Sequence, residues 1–362
     1  MNSNTDIYFM SLALDLAEKG RGLVSPNPMV GAIVVRDGEI VGKGYHKKAG
    51  SDHAEIIALK HAADKSYGAT LYVNIEPCCH FGKTPPCTDA IIKSGIIRVV
   101  SSMVDINPLV NGEGFKRLHQ NNIEIVVGIL DNRAKKLNES YIKFIQSKIP
   151  FLTLKLAITL DGKIAAPDGK SKWITGKKTR KRIHQLRSWS DAVLIGVNTV
   201  LADDPMLTIY DIKGSNPLRV IIDSRLRTPE NAKVLSDKNV VIATTNKADE
   251  KKRSLFSQRC IEVLKFDSKN GHVPLYEVLI KLGEKNITSL LCEGGSILAS
   301  SLLKEKLIDK IIFTIAPKIL GGGYDAVKGL DIKSLDEAIR LKDIEVETIN
   351  DDVVITGYPE YS

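Results

Sequence analysis

The residues best equipped for chemistry fall in two short stretches. One is His53-Ala54-Glu55, and the other runs from Pro77 to Cys87 and carries Cys78, Cys79, His80 and Cys87. One imidazole, two thiolates and a nearby carboxylate are the inventory of a catalytic zinc site with three protein ligands and a fourth position left to water. His53, Cys78 and Cys87 are the expected ligands. Glu55, not a ligand, is the expected proton carrier. A purely structural zinc knot would want a fourth protein ligand, for which Cys79 or His80 could serve, but it leaves the His-x-Glu spacing without a role.

The elements that must position these groups can be read from their flanks. Ser51 and Asp52 are good N-cap residues ahead of an apolar-periodic run beginning at Ile56, which predicts a helix with His53 and Glu55 in its first turn. Ala69 to Ile75 reads as a strand delivering Cys78 at its end. Thr84 is expected to cap a second helix, with Pro85 and Pro86 suiting its first positions. Cys87 then lies at a helix N-terminus, where partial positive charge favours the thiolate. His-x-Glu followed by Pro-Cys and a second Cys is the pattern of zinc deaminases, in which an activated water attacks an amidine-like ring carbon and the glutamate carries its proton to the departing ammonia. Here the two cysteines enclose eight residues instead of two.

With 362 residues the chain is long enough for about two domains. Its 43% hydrophobic and 26% charged content are ordinary for a soluble globular protein. No basic segment followed by an apolar run opens the chain and no apolar stretch approaches ~18 residues, so neither a signal peptide nor a membrane span is expected and the default location is cytoplasmic. Five cysteines, three of them clustered, argue for reduced thiols and zinc, not a disulfide framework. The net charge of +8 is spread over both halves. Runs such as Lys251-Lys252-Arg253 are short and flanked by acids, which speaks against a nucleic-acid surface and leaves anionic small ligands compatible.

Along the chain, Ile7 to Glu18 has helical spacing, Met29 to Val35 and Ile40 to Tyr45 form a hairpin around Asp37-Gly38, and strands and helices then alternate to about Gly128. That is a three-layer α/β domain. Asp131 to Lys148 reads as a polar helix or connector, and Pro150 marks the boundary between residues 1–148 and 149–362. Beyond it, strands are expected at Phe151–Ala157, Ala192–Gly196, Arg219–Asp223, Val240–Ala243 and Leu290–Cys292, with helices at Lys177–Arg187, Tyr276–Leu282 and Ser296–Glu305. Antiparallel strands at Ile311–Ile315 and Val353–Thr356 close this second α/β half. Cys292-Glu293-Gly294-Gly295-Ser296 is a strand, a glycine turn and a helix start, which leaves backbone amides to hold a phosphate. The dinucleotide fingerprint Gly-x-Gly-x-x-Gly is absent. Asn198 to Pro205 reads as a capped polar loop.

Taken together, the chain resembles the bifunctional riboflavin-biosynthesis deaminase/reductase family. The matching motifs are Pro26-Asn27-Pro28-Met29-Val30-Gly31, Gly44-Tyr45-His46, His53-Ala54-Glu55, the Pro77 to Cys87 loop with its long cysteine spacing, and Asp105 through Gly114. They continue with Lys155-Leu156-Ala157, Leu160-Asp161-Gly162, Trp173-Ile174-Thr175, Gly196 through Pro205, Asp223-Ser224 and Glu293-Gly294-Gly295. The resemblance implies an N-terminal cytidine-deaminase-like α/β/α domain and a C-terminal α/β domain similar to dihydrofolate reductase. It further implies zinc, NADPH and two successive reactions on a pyrimidine carrying a ribosylamino 5′-phosphate, with no nucleic acid or membrane partner and a homo-oligomeric assembly. By motif match, Asn27, His46, Lys83 and Asn107 would hold the deaminase substrate; Ser171, Arg187, Leu207 and Glu293 would contact the reductase substrate; and Ala157, Trp173, Thr199, Asp203, Ser224, Gly295 and Ser296 would bind NADPH. Cys79 stands where the family usually has Ser, Ile106 where it has Pro, and Tyr210 where relatives often have a substrate-binding Arg, for which Lys213 or Arg219 could substitute. The competing readings are a nucleic-acid base deaminase with an RNA-binding second half, and a zinc-stabilised scaffold without activity; neither requires NADPH binding, whereas the deaminase/reductase reading does.

Overall fold

The computed structural model describes residues 3–82 and 85–361, so the expected substrate contact of Lys83 and helix cap of Thr84 lie outside the described residues. The chain divides into two compact units between Lys148 and Ile149.

The first unit runs α1 (Ser3–Glu18), β1 (Gly31–Arg36), β2 (Glu39–Tyr45), α2 (Ala54–Ala62), β3 (Thr70–Val73), α3 (Cys87–Lys93), β4 (Arg98–Ser101), α4 (Glu113–Gln120), β5 (Glu124–Val127), α5 (Asp131–Leu137) and α6 (Glu139–Ser147). Among the described residues its sheet has the order β2-β1-β3-β4-β5, antiparallel around β1 and parallel from β3 to β5. Asp37 and Gly38 take positive φ angles of 52° and 83°, the two-residue turn that suits the twist of the β1–β2 hairpin. Met10, Ala13, Leu14 and Ala17 bury one face of α1, while β1 and β3 are almost wholly buried, so the core lies on the sheet between helices. Close packing places the site: a Cβ at Gly44 would stand 2.5 Å from the Ala54 carbonyl oxygen, so only glycine lets β2 lie directly against the start of α2.

Three local expectations are corrected here. His53 itself is the N-cap of α2, because the Ser51 hydroxyl donates to the Lys48 carbonyl oxygen (2.7 Å) and Asp52 pairs with Lys60 (2.7 Å). Pro85 and Pro86 precede α3, which begins at Cys87 after the extended backbone of Pro86. The 131–148 stretch is two helices broken at buried Asn138, whose side chain accepts from the Met29 N–H (2.7 Å) and donates to the Met29 carbonyl oxygen (3.1 Å).

The second unit comprises β6 (Phe151–Thr159), β7 (Lys163–Ala165), α7 (Lys177–Ser188), β8 (Ala192–Gly196), α8 (Val197–Asp203), β9 (Leu218–Ile222), β10 (Val240–Thr245), α9 (Glu250–Gln258), β11 (Glu262–Phe266), α10 (Leu275–Glu284), β12 (Ser289–Cys292), α11 (Ser296–Lys304), β13 (Lys310–Ala316), β14 (Tyr324–Asp325), β15 (Arg340–Ile349) and β16 (Asp352–Glu360). Its main sheet has the order β11-β10-β9-β8-β12-β6-β13-β16-β15, parallel through β13 and antiparallel at the β16 and β15 edge. The central strands are Leu-, Ile- and Val-rich runs buried on both faces, as a parallel sheet covered by helices requires. The expected loop after β8 is instead α8, since Val197 and Val200 bury one side of two short turns and outweigh the polar residues between them. No helix among the described residues is long and apolar enough to cross a membrane.

Candidate active sites

In the first unit the N-termini of α2 and α3 and the carboxyl end of β3 converge. Nδ1 of His53 lies 3.2 Å from Sγ of Cys87 and 3.5 Å from Sγ of Cys78, and the three ligand atoms lie within 4.8 Å of one another. A tetrahedral zinc with bonds of about 2.3 Å to sulfur and about 2.05 Å to nitrogen separates such atoms by about 3.6 Å, so this donor set fits the ion in spacing and softness. The Cys79 sulfur points away, toward the Leu109 carbonyl oxygen at 3.8 Å.

Electrostatics fit as well. Cys78 is pulled down, chiefly by the hydrogen bond from the Cys87 thiol and further by His53, against the opposing effect of burial. Cys87 is pushed up in the same exchange. His53 is raised, first by its hydrogen bond with Cys78. Glu55 is 3% exposed, its Oε2 is buried without a hydrogen-bond partner, and burial followed by the Cys78 charge lifts it to about 7. A carboxyl group that titrates near neutrality and keeps one oxygen unengaged is suited to moving a proton.

These groups open onto a cavity of about 380 Å³, which Asn27, His46, Asp105, Asn107, Tyr141 and Phe144 also line. Asn27 Nδ2 lies 3.1 Å from His46 Nε2, and His46 Nδ1 lies 3.2 Å from the Asp52 carbonyl oxygen. An amide nitrogen can only donate and a carbonyl oxygen only accept, so Nε2 accepts from Asn27 while Nδ1–H donates to Asp52, and burial favours that neutral form by lowering the pKa of His46. Asn27, His46 and Asn107 are therefore brought together with the metal ligands. Sequence reasoning missed Glu76, Asn74, Asn138 and Tyr141, which fix the loops. A charged residue closing the apolar run before Pro77 was the one available signal.

In the second unit, the expected cofactor residues Ala157, Thr199, Ser224, Gly295 and Ser296 lie in or just beyond the carboxyl ends of the neighbouring parallel strands β6, β8, β9 and β12, while Asp203 closes α8. Ligands of open α/β sheets bind in the crevice at that edge. Ser171 Oγ donates to Asp203 Oδ1 (2.7 Å), joining an expected substrate residue to an expected cofactor residue. The two glycines differ. A Cβ at Gly294 would meet Leu298 at 2.8 Å, so packing explains that residue, whereas one at Gly295 would meet only Thr199 Oγ1, at 3.7 Å. Gly295 has an ordinary φ of −76° and leads into α11, where the Ser296 hydroxyl is buried without a partner. Open space at Gly295 and an unsatisfied hydroxyl at a helix N-terminus fit a cofactor phosphate.

Glu293, with 7% of its side chain exposed, is gripped by Arg187 through two hydrogen bonds (2.5 and 3.2 Å) and by Lys155 (3.1 Å). Burial alone would raise its carboxyl, but Arg187 and then Lys155 outweigh that and hold it at about 2. Lys155 belongs to a quoted motif yet was not among the expected site residues. Trp173 is 64% exposed, with the Arg180 guanidinium 4.1 Å from its ring centre and Lys318 donating to its carbonyl oxygen (2.8 Å), so it is no core residue. Leu207, an expected substrate residue, is buried in the core. Arg219 is fully buried and paired with Asp237, so it cannot replace the arginine absent at Tyr210.

Comparison with known proteins covers both units. Residues 3–103 match the cytidine and deoxycytidylate deaminase zinc-binding region, and residues 150–355 match the RibD C-terminal domain. The riboflavin biosynthesis protein RibD of Aquifex aeolicus is 46% identical over 351 residues, 97% of each chain. Of solved structures, Acinetobacter baumannii RibD is similar at a TM-score of 0.89 and 35% identity over 99% of this chain and 100% of that one. The Thermotoga maritima diaminohydroxyphosphoribosylaminopyrimidine deaminase/5-amino-6-(5-phosphoribosylamino)uracil reductase has a TM-score of 0.88 at 38% identity, with 99% of both chains covered.

Proposed function

The chain belongs to the RibD family of bifunctional riboflavin-biosynthesis deaminase/reductases, and from that premise we propose how its residues divide the work. It is a hydrolase and an oxidoreductase, with a zinc-binding deaminase domain and an NADPH-dependent reductase domain. Our reading assigns deamination to residues 1–148 and reduction to residues 149–362. The substrate of the first is a diaminopyrimidinone bearing a ribosylamino 5′-phosphate, and the second converts the ribosyl chain of the deaminated product to ribityl. A homo-oligomeric assembly in the cytoplasm belongs to the same reading.

In the deaminase, His53, Cys78 and Cys87 would hold zinc, which supplies a water acidic enough to act as a nucleophile near neutral pH. Glu55 takes up the proton at its unengaged Oε2 and returns it to the amine that leaves as ammonia. Asn27 and Asn107 orient the ring, with His46 fixed as the neutral tautomer beside Asn27, and Lys83 completes the set by motif match. In the reductase, NADPH supplies the hydride when bound. Ala157, Trp173, Thr199, Asp203, Ser224, Gly295 and Ser296 hold the cofactor, while Ser171, Arg187, Leu207 and Glu293 orient the sugar chain.

The observation that carries the assignment is the buried, unpartnered Glu55 oxygen beside three ligand atoms at zinc spacing. Glu55→Gln keeps the shape but cannot carry a proton, so deamination should fall by ~10²–10⁴-fold with zinc still bound and reduction of supplied deaminated substrate intact. Cys87→Ala should abolish zinc binding and Cys79→Ser should not. Zinc loss from Cys79→Ser, or joint loss of both activities in folded, zinc-loaded Glu55→Gln, would refute the two-site assignment.

A further inference from the structure

We propose that Glu76 is a positioning residue of the deaminase, acting at a distance from the chemistry by holding the 105–115 segment, and through it Asn107, at the wall of the pocket. The proposal rests on the reading of Asn107 as a substrate ligand. Glu76 follows β3 and precedes the Pro77-Cys78 corner, and only 2% of it is exposed. Its carboxylate accepts four backbone N–H groups, two from the loop before α4 and two from α4 itself: Asp105 (3.1 Å) and Gly112 (2.9 Å) at Oε2, and Gly114 (2.9 Å) and Phe115 (3.2 Å) at Oε1. Gly114 and Phe115 stand in the first turn of α4, so the charge also faces a helix N-terminus. Its own N–H donates to the Met103 carbonyl oxygen at 3.0 Å, tying the ends of β3 and β4. The segment must approach closely: a Cβ on Gly114 would run into the Pro77 carbonyl oxygen and come within 3.0 Å of Glu76 Oε1.

From Glu76 the hydrogen bonds lead to the candidate ligand. Asp105, whose N–H Glu76 holds, accepts at Oδ1 from the Asn107 N–H (2.9 Å) and from the Tyr141 hydroxyl (2.9 Å). Asn107 Oδ1 in turn accepts the Leu109 N–H at 3.1 Å. Glu76, Asp105, Asn107 and Tyr141 all line the cavity that also reaches His53 and Glu55. With both carboxylate oxygens engaged by two amides each, Glu76 differs from Glu55, which keeps one oxygen unpartnered. A buried carboxylate spent on four amides of one segment fixes geometry and leaves no oxygen for proton traffic.

The test is steady-state deamination of the pyrimidine phosphate by the zinc-loaded full chain, with zinc content and reductase activity measured alongside. Asn107→Ala should raise KM about tenfold. Glu76→Gln turns an NH₂ group toward amides that need an acceptor, and should raise KM about tenfold with kcat within about threefold, one zinc per chain and reduction unchanged. If Glu76 acts through Asn107, the double variant should be no worse than the worse single one. An unchanged KM in Glu76→Gln, loss of its zinc, a collapse of kcat, or additive effects in the double variant each overturn the proposal. An unchanged KM in Asn107→Ala overturns the ligand reading beneath it as well, which separates the two failures. Should Glu76→Gln not fold, Tyr141→Phe releases the same Asp105–Asn107 turn from the other side. It should raise KM about threefold, without additivity toward Asn107→Ala, and an unchanged KM or additivity there overturns the proposal in the same way.

Discussion

Glu55 is a carboxylate whose surroundings, not its chemistry, decide when it ionises. Burial and the Cys78 charge raise it from 4.5 to about 7, a change that makes the charged form costly in metal-free protein. The raised value means that the stabilisation belongs to the protonated state: it is present below the unfolded value and lost as pH rises through the folded one. Chelator-treated wild type should therefore lose stability relative to Glu55→Gln between about pH 4.5 and 7, by at most about 3 kcal/mol. Denaturant titrations of both proteins at pH 4 and pH 8 would show it, and parallel curves at the two pH values would contradict it. His53, Cys78 and Cys87 were legible in the sequence because His-x-Glu followed by Pro-Cys and a second Cys is a motif of residue types, recognisable without knowing the fold. Glu76, Tyr141 and Lys155 were not, because their partners are 29 or more residues away and no spacing rule connects them. Arg219 was offered as a stand-in for the arginine absent at Tyr210, and its full burial against Asp237 was not legible because no apolar pattern marks a buried arginine.

The turn from β12 into α11 separates two glycines that look equivalent in sequence. Gly294→Ala pushes a methyl against Leu298 and should cost about 1–3 kcal/mol of stability in the second unit while leaving KM for NADPH unchanged. Gly295→Val meets no backbone obstacle and should do the reverse, leaving the fold intact while raising KM for NADPH strongly. Thermal unfolding and reductase kinetics on the pair would decide it; wild-type NADPH affinity in Gly295→Val would make the turn merely structural. Elements with apolar periodicity were recovered within a few residues, as in α1, α10 and β8. Those that failed share one cause, which is that polar side chains hid the pattern. α8 buries only Val197 and Val200, and α2 starts after Ser51 and Asp52 have spent their side chains on local partners.

For the molecule as a whole, the division between Lys148 and Ile149 gives each unit its own core, so damage in one should leave the other standing. Glu293→Gln leaves Arg187 and Lys155 facing each other with no counter-charge in a nearly buried setting, and breaking such a network costs about 3–5 kcal/mol. Calorimetry should show one unfolding transition moved down and deamination preserved below it; a shift of every transition together would indicate that the units do not unfold separately. The alternation of strands and helices made two α/β units legible, and Pro150 fell beside the break. The strand order was not legible, because nothing in the sequence says that β12 inserts between β8 and β6.

The nine-stranded sheet ends at β15, a ten-residue strand paired on one side by β16 and exposed along most of its length. A bare strand of that length is a template on which further chains could add without limit, and a growing stack would precipitate. Arg340, Lys342, Asp343, Glu345 and Glu347 set charges of both signs along it, and the register shift between Lys342 and Glu345 bends its hydrogen-bonding row out of line. Charges of both signs and a bend are devices that discourage a further strand from adding at this edge.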